Sequence, residues 1–185
     1  MVRHNTILNK KTTGLLIIDI QERINAVMKY RERVVKNTVK LINGFNILNV
    51  PIFITEQYRK GLGATEKPIL NALKQADIVE KMNFSCCAAL PLMEQLRVKK
   101  IQQIVICGIE THVCVLQTSL DLIAEGFQVH LVCDAISSRK KLDHTTAIDR
   151  MFQAGVILTT TESVLFELLE HAGTPEFKQI SQLVK

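Results

Sequence analysis

Tryptophan is absent from this chain, tyrosine occurs twice, and aromatic residues make up 5% of its 185 residues. Proteins that bind nucleic acid by stacking bases need aromatic platforms, and the sequence contains no RNP-like aromatic motif. The net charge of +5 invites a nucleic-acid partner, but the composition argues against one. The tightest basic cluster, Arg139-Lys140-Lys141, reads as a solvated loop. Long apolar runs are also missing. None approaches the roughly 20 residues of a membrane-spanning helix, so no membrane partner is expected. The first apolar run contains Asp19 and lacks a small-residue cleavage site, which argues against a secretory signal. No Cys-x-x-Cys spacing occurs. The five cysteines (Cys86, Cys87, Cys107, Cys114 and Cys133) form an odd set, and the adjacent Cys86 and Cys87 cannot readily bond to each other. This is the cysteine usage of free thiols in a reducing compartment. Cytoplasm is the expected location, with the basic, acid-free stretch MVRHNTILNKK leaving a mitochondrial address as the alternative.

What is present describes an ordinary globular protein: 47% apolar and 22% charged residues. The length fits one domain, residues 1–185, with a sizeable core. Apolar runs and helical patterns alternate along it. TGLLIIDI (13–20) has the continuous apolar character of a strand buried on both faces. Helical spacing of apolar residues follows over 34–48, then a strand over 50–55 that opens near Pro51. The stretch EQYRKGLGAT reads as a loop, 67–74 as a short helix and 77–81 as a strand. Further on, helices are expected at 89–98, 111–126, 142–154 and 163–173, and strands at 102–108, 127–135 and 155–160. Thr111 is the expected N-cap of the helix at 111–126 and Gly126 its terminator. Strict alternation implies a three-layer, doubly wound α/β fold with a parallel sheet and helices on both faces.

In such sheets ligands bind at the carboxyl ends of the strands. That rule brings Asp19, Lys81 and Cys114 to one rim. Cys114 lies near the start of a helix, where free amides and partial positive charge favour a thiolate and could hold an oxyanion. Taken alone, it reads better as a small packing residue. Asp19 is either a ladder-end acceptor or the general base of a nearby thiol. Lys81 is either a surface lysine or the partner that keeps Asp19 charged.

The segments LLIIDIQ, KMNFSC and GIETHVCVLQT, in this order, resemble the isochorismatase-like cysteine hydrolases, over about Thr13 to Thr161. The stretches TEQYRKGLG and DAISSRKKLDHTTAIDRMFQAG are similar to the isochorismatase domain-containing branch. The resemblance implies a triad of Asp19, Lys81 and Cys114. Asp19 takes the thiol proton, Cys114 attacks a carbonyl carbon, and water hydrolyses the resulting thioester. It also implies a cis peptide, which carries over to Ile109–Glu110 and would aim the amides of Glu110 and Cys114 at an oxyanion. A cis bond before a non-proline residue costs roughly 3 kcal/mol. Gln21, Tyr58, Arg59, Phe84 and Thr111 are candidate pocket residues. Arg59 and Lys60 would favour an anionic substrate, or simply belong to a solvated loop. Metal-dependent relatives carry Asp-x-His after the second strand, where this chain reads EQYRKGLG. The five histidines show no ligand spacing, and the GLG glycines lack the spacing of a phosphate loop. No metal and no cofactor are expected. Three functions remain open: a metal-free cysteine hydrolase of a small amide or related C–N compound, a catalytically weak binding or scaffold protein of the same fold, and a nucleic-acid-associated protein or nuclease. The family commonly assembles, so a homo-oligomer is expected.

Overall fold

The computed structural model describes residues 3–74 and 77–185. The first two residues of the basic N-terminal stretch therefore lie outside the described residues. Six parallel strands form one sheet in the order β3-β2-β1-β4-β5-β6. They are β1 (Thr13–Ile18), β2 (Ile52–Gln57), β3 (Ile78–Lys81), β4 (Gln103–Ile109), β5 (Gln128–Ser137) and β6 (Ile157–Thr159). Nine α-helices occur among the described residues. They are α1 (Glu22–Asn25), α2 (Arg31–Leu48), α3 (Arg59–Leu62), α4 (Lys67–Ala72), α5 (Leu90–Val98), α6 (Leu116–Ala124), α7 (Lys141–Gln153), α8 (Thr161–Leu169) and α9 (Pro175–Val184). This is the doubly wound α/β architecture expected from the alternation. None of these helices is long and apolar enough to cross a membrane.

The sheet is buried on both faces because successive strand residues point in opposite directions. Leu15 and Ile17 of β1 pack with Val105, Cys107 and Ile109 of β4 against α2, α8 and α9. Leu16 and Ile18 pack with Ile104 and Ile106 against α5, α6 and α7. Helix α2 buries Val34, Thr38, Leu41, Ile42 and Phe45 along one stripe, then stops at Asn49 in the left-handed region. The N-terminal stretch is also docked: Leu8 is fully buried, and the Asn9 amide donates to Gln103 Oε1 at 2.7 Å.

Three boundaries differ from the sequence reading in ways that matter for the site. β2 runs on to Gln57, so Glu56 and Gln57 are strand residues, and a one-turn helix α3 follows where a loop was expected. The segment after β4 starts as a π-type turn over Thr111–Val115 before α6 takes over. Thr111 is inside that turn and caps nothing: its hydroxyl faces His144 Nδ1 at 3.0 Å.

The order of the strands reverses between β1 and β4, which diverge to neighbours on opposite sides. Gly108, at the carboxyl end of β4, makes close approach possible there. A Cβ at that position would lie 2.6 Å from the Ile18 carbonyl oxygen and 2.8 Å from Ile18 Cβ. Gly108→Ala is therefore expected to cost about 1–3 kcal/mol, the usual penalty for overpacking, measurable as a lowered denaturation midpoint.

Stability should also peak within a pH window. Burial lowers the His130 pKa to about 4, so the unfolded chain binds a proton first as pH falls below about 6.5, and folding weakens. Burial pushes the thiols of Cys86 and Cys107 up to about 12, so the unfolded chain loses those protons first as pH rises above about 8.5, and folding weakens again. Denaturant titrations across pH should show maximal stability between these limits. A midpoint that keeps rising through pH 10 would contradict this.

Candidate active site

Each of the strands β1, β2 and β4 is followed by a residue in the left-handed region: Asp19 (φ 54°), Tyr58 (φ 37°) and Glu110 (φ 55°). Such a conformation is uncommon for non-glycine residues and concentrates at functional sites. Here it turns the chain sharply at three strand ends around the switch point. The result places Asp19, Lys81 and Cys114 beside one another at the carboxyl edge of the sheet. All three are buried, at 3%, 5% and 6% exposure, so Lys81 is not the surface lysine that its neighbours in sequence allowed.

Asp19 and Lys81 form an ion pair, with Lys81 Nζ donating to Asp19 Oδ2 at 2.7 Å. The ammonium is enclosed by oxygen. It lies 2.7 Å from Gln57 Oε1, 3.2 Å from the Asn83 carbonyl and 3.1 Å from the Phe84 carbonyl. The second carboxylate oxygen accepts the Thr55 hydroxyl at 2.8 Å. Burial opposes the charge on Lys81, but Asp19 and the neighbouring thiols outweigh it, so the Lys81 pKa is raised. With its hydrogen bonds committed, Lys81 is a fixed positive charge and not a proton donor.

Two further side chains hold this arrangement. Gln57 Nε2 donates to the Met82 carbonyl at 2.8 Å, tying the segment after β3 to β2. Gln21 grips the backbone of Gln57 from both sides: its Oε1 accepts the Gln57 amide at 2.7 Å and its Nε2 donates to the Gln57 carbonyl at 3.0 Å. That Nε2 also donates to the Gly63 carbonyl at 2.7 Å. Gln21 is thus fully buried scaffold with little left for a ligand, and Thr111, equally buried, is engaged with His144. Tyr58, Arg59 and Phe84 do reach solvent. Arg59 pairs with the buried Glu56 at 3.4 Å. Lys60 lies beside it on α3, exposed. Sequence reasoning missed Thr55 and Gln57. The signal was the polar alternation T-x-Q at the end of an otherwise apolar strand, cut short by ending that strand at residue 55.

Cys114 departs from expectation in its acidity. Burial pushes its thiol well above the ordinary value, the charge of Asp19 pushes it further, and Lys81 opposes without prevailing. The helix-start effect is outweighed, so the resting group is a thiol next to a carboxylate. The expected cis peptide is not found either. All peptide bonds among the described residues are trans, Ile109–Glu110 included. The left-handed Glu110 makes the turn instead, closed by the Val113 amide donating to the Glu110 carbonyl at 2.8 Å. Its carboxylate is gripped by Arg139 at 3.2 Å and 3.1 Å. Among the described residues, no three His, Cys, Asp or Glu side chains are grouped so as to share a metal ion.

Residues 13–163 match the isochorismatase domain model. The chain belongs to the isochorismatase family. An isochorismatase domain-containing protein 1 of Danio rerio is 38% identical over 96% of this chain; the chain spans 62% of that longer relative. An isochorismatase family protein 1B of Dictyostelium discoideum is 40% identical, covering the whole chain and 92% of the relative. A solved Caenorhabditis elegans structure, named MAR1 ribonuclease, superposes with a TM-score of 0.90 at 39% identity, covering 96% of this chain and 91% of that one.

The electrostatics of the site make a direct prediction. Replacing Asp19 by Asn removes the charge that opposes the thiolate, so Cys114 in D19N should be alkylated by iodoacetamide at a pH about one to three units lower than in the wild type. Lys81→Met should move it the other way. Residue-resolved mass spectrometry of the alkylated protein reads both shifts, and an unshifted D19N profile would show that the two side chains are not coupled.

Proposed function

We propose that this protein is a metal-free cysteine hydrolase that cleaves a small amide or related C–N substrate through a thioester, and that residues 1–185 form a single hydrolase domain. The observation that carries this reading is the buried 2.7 Å Asp19–Lys81 pair set beside the buried Cys114 thiol, whose ionisation burial and the charge of Asp19 both oppose. A neutral thiol next to an oriented carboxylate suits general-base activation at the moment of attack, in place of a standing thiolate. The Cys114 sulfur bonds to the carbonyl carbon while its proton passes to Asp19. The tetrahedral adduct collapses, the C–N bond breaks, and Asp19 returns the proton to the leaving nitrogen. Asp19 then takes a proton from water as the hydroxyl oxygen attacks the thioester, and passes it to the Cys114 sulfur as the C–S bond breaks, releasing a carboxylic acid and restoring the free thiol and the carboxylate. Lys81 holds Asp19 in place throughout, and when Asp19 accepts the proton the ammonium is balanced by the negative charge that develops on the substrate oxygen.

The oxyanion donors of this reading are the backbone amides of Glu110 and Cys114, presented without a cis bond. Tyr58, Phe84 and the exposed Met82 supply apolar surface at the β2–β3 side of the rim, with Arg59 and Lys60 beside them as the cationic element of the pocket. A homo-oligomer belongs to the same proposal, with the exposed Leu142 and Phe152 of α7 offering apolar surface for it. So does residence in a reducing compartment, supported by five cysteines that are all free.

Cys114→Ala should abolish hydrolysis of any amide substrate found by screening, with a loss of at least about a thousandfold in kcat/KM, and no acyl adduct should form on the variant. In the wild type, a slow substrate quenched in acid should leave an acyl group on Cys114, readable by mass. Hydrolysis that survives Cys114→Ala would reject the mechanism, and a folded protein inert to all small amides would favour the binding or scaffold alternative.

The name of the Caenorhabditis elegans relative, MAR1 ribonuclease, favours a second reading, a ribonuclease. Cleavage of RNA that depends on Asp19, together with binding that weakens steeply with salt, would support it. RNA left intact with no salt-dependent binding would remove it.

A further inference from the structure

Cys114 has a second thiol near it. Cys86 opens a single 3-10 turn, Cys86–Ala88, directly after the segment that wraps the Lys81 ammonium. It is fully buried. Its sulfur lies 3.7 Å from Thr55 Oγ1, the same hydroxyl that donates to Asp19 Oδ1. Its backbone amide donates to Thr118 Oγ1 at 2.9 Å. Thr118 follows Cys114 by four residues, so the two lie one above the other on the same helical face. Cys86 is therefore fastened to α6 directly after the π-type turn that carries Cys114, and the two lie in the same packed cluster on the same side of the sheet. Both thiols interact with the same two charges, Asp19 and Lys81.

The other three thiols are placed differently. Cys107 packs on the opposite face of the sheet, with its sulfur 3.7 Å from Thr38 Oγ1. The Cys87 sulfur is directed at the Thr118 carbonyl, 3.9 Å away. That of Cys133 faces Leu131 on its own strand at 3.7 Å.

We propose that Cys86 and Cys114 form an oxidisable pair, in which Cys86 is the resolving thiol for an oxidised Cys114. A hydroperoxide delivers one oxygen to the Cys114 sulfur: the O–O bond breaks, the thiol becomes a sulfenic acid, and water or an alcohol leaves. The Cys86 sulfur then attacks Cys114 sulfur. The S–O bond breaks, its oxygen departs as water with the Cys86 proton, and a disulfide forms. Asp19 stands between the two steps as the proton acceptor each requires. The movement needed is local, because Cys86 sits in one short turn whose bonds are weaker than those of an α-helix. The disulfide would cap the sulfur of Cys114 reversibly and keep it from the irreversible sulfinic and sulfonic states. Nothing in this depends on the hydrolase reading, since it uses only the placement of the two thiols and of Asp19.

The test is to expose the full-length protein to hydrogen peroxide, block remaining thiols with N-ethylmaleimide, and sequence the peptides by tandem mass spectrometry. The expected result is a Cys86–Cys114 linkage that dithiothreitol reverses. Cys87→Ser, one position away, should still form it. Cys86→Ser and Cys86→Ala should each lose it and instead accumulate sulfinic or sulfonic acid on Cys114, with circular dichroism verifying that the variants are folded. Three results would overturn the proposal: a wild type whose Cys114 reaches the sulfinic state without a linkage, a linkage to Cys87 in place of Cys86, or a Cys114 that peroxide leaves untouched. All readouts are masses of thiol derivatives, so a negative result here leaves the hydrolysis proposal standing, and inactivity toward amides leaves this one standing.

Discussion

A buried ion pair between β1 and β3 is the constraint on which the rest of the structure turns. Removing two opposite charges from water costs several kcal/mol per ion, and their attraction repays it only when the remaining hydrogen-bonding capacity is filled. That requirement accounts for much of the local architecture. Thr55 is polar at the end of an apolar strand because Asp19 Oδ1 needs a donor. Gln57 is there because the ammonium needs an acceptor, and Gln21 because Gln57 must not drift. The chain after β3 bends so that two of its carbonyls point inward at Nζ. A pair of this kind is poor as a source of stability and well suited to fixing geometry, which is how a reacting sulfur acquires a carboxylate at a defined place.

The same pair explains why the thiol is kept neutral. A standing thiolate beside Asp19 would put two like charges against a single ammonium in a dry environment. In the proposed reaction, proton transfer during attack would avoid that state, since the charge would move onto the substrate oxygen as it leaves the sulfur. The turn carrying Cys114 is fixed from a different direction, by Glu110 clamped to Arg139 and Thr111 against His144. The carboxylate is thus positioned from the β2–β3 side of the sheet and the sulfur from the β5–α7 side.

The architecture was legible from the sequence because parallel strands buried on both faces are written as unbroken apolar runs, and TGLLII and QIVICGI are of that type. The rule that ligands gather at strand carboxyl ends then put Asp19, Lys81 and Cys114 on one rim, and the family resemblance singled them out as a triad from a chain with 18 acids, 23 bases and five cysteines. What could not be read was set by contacts distant in sequence. Gln21 looks like a pocket residue when only its neighbour Asp19 is visible; its partners are 36 and 42 residues away. The acidity of Cys114 depends on how dry the site is, which no local pattern records. The Thr111 cap failed because a hydroxyl that is free in the sequence meets His144 from α7 in the fold.

The sheet order carries a further consequence. Lys81 belongs to β3, an outermost strand of four residues that pairs only with β2 and buries little beyond Val79 and the lysine itself. Short edge elements with few buried apolar contacts lie at the low end of the range of local opening free energies. Asp19 and Cys114 sit instead on the chain leaving β1 and β4, the two innermost strands. The polar half of the site is therefore seated on the margin of the fold and the reacting half at its centre. Fraying of one marginal strand would unmake the charge arrangement around Asp19 while the central strands and their flanking helices stayed folded.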